Sequence, residues 1–68
     1  MSVIKKMWQI EASVDDPVEQ ALLTNTIAND PMAYRRFDSI EKAHNALDDF
    51  CERKGLSMSL FNVQGVAA

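Results

Sequence analysis

Between Asp38 and Gly55 the sequence carries a helix with both ends specified, and only one of its sides is apolar. Asp38-Ser39 offers capping oxygens with Glu41 behind them in capping-box spacing, and Gly55 suits the left-handed conformation that ends a helix. In between, Ile40, Ala43, His44, Leu47, Phe50 and Cys51 recur at helical spacing within about 120° of arc. Glu41, Lys42, Asn45, Asp48, Asp49, Glu52 and Arg53 take the opposite side. A one-sided helix must lie on an apolar surface, and a chain of 68 residues can build only a thin one.

The surface is expected from strands at the two ends of the chain. From Ile4 to Val14 the even positions read Ile4, Lys6, Trp8, Ile10, Ala12 and Val14, against Lys5, Met7, Gln9, Glu11 and Ser13, the alternation of a strand with one buried face. Met58, Leu60, Phe61 and Val63 predict a closing strand, bulged where Leu60 and Phe61 break the alternation, with Val66-Ala67-Ala68 as a loose tail. Met32 to Phe37 reads as a further short strand, and the competing reading is another helical turn capped by Asp30-Pro31. Leu56, just past Gly55, is placed to pack back onto the last helical turn.

Asp16-Pro17-Val18-Glu19 starts another helix: an acid at the cap, a proline whose φ suits the first position, and a glutamate in capping-box spacing. Pro31 should end it by about Asn29. This helix has two apolar sides. Val18, Ala21, Leu22 and Ala28 share one and are expected on the sheet, which turns Leu23 and Ile27 outward as a homodimer seam or partner contact, with Met7 or Met32 beside them. The competing reading is a bend at Thr24–Thr26 that returns Ile27 to the core. The expected fold class is α+β: one small domain over residues 1–68, two helices on one face of a two- to three-stranded sheet, in the order β-α-(β)-α-β. Trp8, Ile10, Leu47, Phe50, Leu60 and Val63 would share its core.

Composition narrows the function. Hydrophobic residues make up 47% and charged ones 25%, which is globular rather than disordered. Seven basic against ten acidic residues give a net charge of -3, which supplies no general grip on nucleic acid or anionic membrane. A single cysteine excludes an internal disulfide framework and points to a reducing, cytoplasmic setting. No apolar run reaches membrane-spanning length, and the N-terminal residues are too polar for a signal-peptide core.

Chemistry is sparse. His44, Asp48 and Cys51 fall along one flank of the second helix, but no glycine-rich turn or second histidine accompanies them, and His44 and Cys51 belong to the stripe expected to face the core. A structural zinc site wants more ligands than one cysteine and one histidine. Neither a catalytic residue nor a metal or cofactor site is assigned. The expected function is non-enzymatic binding of a protein partner, as an inhibitor, adaptor or accessory factor. Its candidate residues are Leu23 and Ile27 together with the acidic Glu41, Asp48, Asp49 and Glu52, to which Asp15, Asp16 and Glu19 can add charge for a basic partner. The second choice is a nucleic-acid-binding regulator that uses Lys5, Lys6, Tyr34, Arg35 and Arg36, because basic and aromatic residues on a sheet can stack single strands. A third reading is a small subunit that completes a larger assembly.

Overall fold

The computed structural model describes residues 6–67, so Ile4, Lys5 and Ala68 lie outside the described residues. The elements are β1 (Lys6–Ala12), α1 (Pro17–Ala28), β2 (Arg36–Phe37), α2 (Ile40–Lys54) and β3 (Phe61–Ala67), with a 3₁₀ turn at Met58–Leu60. The fold is the expected α+β domain with its middle strand present. The three strands lie in the order β2-β1-β3, each antiparallel to its neighbour. Because β2 and β3 both oppose β1, they run parallel to one another, and α2 is the crossover between them. It touches all three strands.

The alternation in β1 is realised. Ile10 and Ala12 are buried beside Phe61 and Val63 of β3, their cross-strand partners, while Gln9 and Glu11 pair with Gln64 and Asn62 on the opposite face. Around Glu11 that opposite face is polar: Gln9 Nε2 donates to Glu11 Oε1 at 2.7 Å, and the Gln64 amide also donates to the Glu11 carboxylate. On the core side Ala43, Leu47, Phe50 and Cys51 of α2 are buried. The Phe50 and Phe61 rings meet edge-on at 5.4 Å and 82°, a contact worth about 0.5–1.5 kcal/mol beyond the area buried. Trp8, Leu60 and Val63 are half-buried against this core. Two members of the predicted stripe fall outside it, since Ile40 and His44, at its margin, are exposed.

Several boundaries differ from expectation. The cap of α2 is Ser39, whose Oγ accepts from Lys42 N–H at 3.2 Å, so the third helical position holds Lys42 and the Glu41 capping box is displaced. Lys42 reaches back to Asp38 instead, at 2.9 Å. Gly55 ends α2 with φ 68° as predicted. Met58–Leu60 turns rather than extends, because Ser57 caps it through Ser59 N–H, so Leu60-Phe61 is a turn-to-strand junction and not a bulge. Val66 and Ala67 belong to β3 rather than to a tail.

The segment before β2 follows both of its competing readings in turn. Asp30 caps a tight turn by accepting from Met32 N–H at 3.0 Å, with its backbone carbonyl taking Tyr34 N–H at 2.7 Å, and only Arg36 and Phe37 remain as strand.

The largest correction concerns α1. Leu23 and Ile27 are in the core, at 8% and 5% exposure, whereas Val18 and Leu22 face solvent at 67% and 63%. Its two apolar sides nearly balance, so the sequence pattern could not orient it. Gln20 does. Its Nε2 donates to the Ala12 carbonyl at 2.8 Å and its Oε1 accepts from Val14 N–H at 3.1 Å, which fixes the Gln20-Leu23-Ile27 side against the end of β1.

Candidate functional site: an apolar and acidic face on α1

The outward side of α1 is built from Val18 and Leu22, one helical turn apart, with the exposed Ala21 between them. Asp15, Asp16 and Glu19 are all exposed around the first turn of this helix. Asp16 is partly committed as the cap, accepting from Val18 N–H at 3.1 Å. Two large aliphatic side chains held in regular structure, with carboxylates beside them, make a surface that is apolar at its centre and negative at one margin. Contacts between proteins have this anatomy, a desolvated apolar middle and a polar rim.

The predicted partner residues are thus redistributed. Leu23 and Ile27 cannot form a seam, because both pack inside. Glu41, Asp48, Asp49 and Glu52 are exposed on α2 as expected. Asp49 is bound to Arg53 Nε at 2.7 Å, which removes one of the four from a free acidic surface.

Arg53 also reaches Asp30, with Nη1 donating to Oδ2 at 2.7 Å, and this pair escaped sequence reasoning because 23 positions separate the partners. Asp30 is the one buried charged residue among those described. The Arg53 guanidinium holds the Asp30 carboxyl below its usual value against the opposing effect of burial. The pair ties the α1–β2 turn to the last turn of α2, a structural task.

The nucleic-acid candidates are scattered. Lys6 is exposed, with its ammonium 4.6 Å from the centre of the Trp8 ring, and its stem crosses Gly65, where a Cβ would collide with it. Arg35 lies over the Phe37 ring at 5.3 Å, but Phe37 is buried, so that ring offers no platform to a base. Tyr34 is 66% exposed. Arg35, Arg36 and Lys42 line a cleft of about 270 Å³ together with Met7 and Asp38. A larger cleft of about 490 Å³ lies between β1 and α1, lined by Ile10, Ala12, Gln20 and Ile27, with Tyr34 and Arg35 alongside.

His44 and Cys51 share no site: His44 is exposed and Cys51 is 3% exposed. Burial and the neighbouring Asp48 charge push the Cys51 thiol up, away from the nucleophilic thiolate. Among the described residues no group of three His, Cys, Asp or Glu side chains is placed to hold a metal, and no helix is long and apolar enough to cross a membrane.

Fold and surface therefore define a small α+β domain with two helices on a three-stranded antiparallel sheet and an apolar helix face turned outward. Comparison with protein families, characterised proteins and solved structures returns no match to this chain.

Proposed function

We propose that the protein is a non-enzymatic binding module, an inhibitor, adaptor or accessory factor of a reducing compartment such as the cytoplasm. Its partner is a protein that offers an apolar patch bordered by Lys or Arg. The observation that carries this reading is the exposure of Val18 and Leu22 on a well-formed helix beside Asp15 and Glu19. Burying the two side chains in a contact would contribute about 1.5–3 kcal/mol each if fully desolvated, while the acidic margin would steer a basic partner.

The test is capture from an extract of the source cell, followed by a binding titration with the purified captured protein. A Val18→Ser, Leu22→Ser variant should weaken binding at least tenfold without altering the melt, and Glu19→Lys should weaken it further at low salt. Equal binding by wild type and both variants would overturn the reading.

A second reading, a regulator that holds nucleic acid, draws on Arg35, Arg36 and Lys42 lining one cleft. It requires retention on single-stranded DNA that falls steeply with salt and is lost in Arg36→Glu, since phosphate contacts release counterions.

A further inference from the structure

The sheet has two edges of opposite design. One is β2, only two residues long and flanked by Arg35, Asp38 and its own Arg36. Shortness and charge both discourage further pairing. The other edge is β3, paired with β1 along all seven residues and without a strand on its outer side among the described residues. Its sequence, Phe61-Asn62-Val63-Gln64-Gly65-Val66-Ala67, contains neither a charge nor a proline. Shortness, charge and proline, three of the usual protections of an edge strand, are absent from β3 itself.

The main chain of β3 is also arranged symmetrically. Ser13 N–H donates to the Leu60 carbonyl at 2.8 Å, next to the Ala12–Phe61 pair. Antiparallel bonding alternates, so Asn62, Gln64 and Val66 turn their N–H and C=O towards β1, as Leu60 does its carbonyl while its N–H donates to the Ser57 carbonyl. Val63, Gly65 and Ala67 then turn theirs to the free side, as Phe61 does its carbonyl, its N–H donating to the Met58 carbonyl instead. These positions are centred on Gln64.

We propose that β3 pairs antiparallel with β3 of a second copy of the chain, about a two-fold axis at Gln64. In that register Val63 exchanges main-chain hydrogen bonds with Gly65 of the second copy, and the Phe61 carbonyl accepts from its Ala67 N–H. Every free outward N–H of the strand finds an acceptor. Ala67 leaves room opposite the bulkier Phe61, and an uncharged strand meets no like charge in its own image. Among the described residues each chain owns a single long edge strand, so pairing closes at the dimer and does not propagate. A contact one strand wide falls below the ~800 Å² per partner of a standard interface, which places the dimer in the weak, concentration-dependent class. This face is separate from the α1 surface, so either proposal can fail alone.

Analytical ultracentrifugation between about 10 µM and about 1 mM, a span that covers weak association, should show the mass rising from 7.6 kDa towards twice that value. Amide exchange supplies the signature: Val63 and Gly65 N–H should gain protection with concentration, while Asn62 and Gln64 N–H, bonded within the chain, are protected throughout. Gln64→Lys sets two ammonium groups side by side across the axis and should return the mass to the monomer with the fold intact, its charge being welcome beside Glu11. Val18→Ser, Leu22→Ser should leave the dimer unchanged. A constant 7.6 kDa with fast exchange at Val63 and Gly65 overturns the proposal, as does a dimer that survives Gln64→Lys or disappears with the α1 variant.

Discussion

Leu22 and Leu23 are adjacent, chemically identical and in the same helix, yet truncating them to alanine should have different results. Both substitutions change intrinsic helix propensity by the same small amount, so that contribution cancels in the comparison. Leu23 is 8% exposed and packs with Ile27 in the core, while Leu22 is 63% exposed. Removing the buried side chain costs its transfer free energy plus the cavity left behind, about 2–5 kcal/mol. In so thin a core partial collapse keeps the figure near the lower end, about 2.5 kcal/mol. Leu22→Ala should stay within about 0.5 kcal/mol of wild type. A domain of this size has roughly 3–10 kcal/mol in all, so Leu23→Ala removes a large share of it. Urea unfolding followed by circular dichroism is the assay. With a slope of about 1 kcal/mol/M, the midpoint should fall by about 2.5 M for Leu23→Ala and barely move for Leu22→Ala. The thermal midpoint should drop by roughly 10–20 °C for the former alone. Equal losses, or a greater loss for Leu22→Ala, would mean that α1 is rotated about its axis from the orientation set by Gln20, and the proposed docking face would fall with it.

The depressed Asp30 carboxyl makes a prediction about acid. Its contribution is fully present above the unfolded pKa of about 3.9 and is lost as pH falls below that value through the folded one. The wild-type urea midpoint should therefore decline below pH 4, and Asp30→Asn should flatten the part of that decline that Asp30 causes. Gly55→Ala meets no atoms within 4 Å, so its cost comes from the positive φ alone, about 1–2 kcal/mol by denaturant titration. Cys51 should react with a disulfide reagent at pH 8 at least a hundredfold more slowly in the native protein than in urea, given its burial and raised pKa. Comparable rates would place the thiol at the surface.

Local signals fixed much of the architecture. The caps at Asp16 and Ser39, the stop at Gly55 and the alternation of β1 are written in consecutive residues, because capping and pleat depend on neighbours only. The core stripe of α2 was legible in four of its six expected residues, since one of its sides outweighs the other, while Ile40 and His44 at its margin stayed exposed. What required the folded chain were relations between distant residues. The side of α1 that packs was decided by Gln20 bonding to Ala12 and Val14, two apolar faces of similar strength having left the pattern neutral. The burial of Asp30 was decided by an arginine far along the sequence. The same holds for the surface: only packing left Val18 and Leu22 exposed, and only strand order left β3 at an edge. Secondary structure answers to short-range sterics and hydrogen bonds, whereas exposure is whatever remains once every element has competed for the same small core.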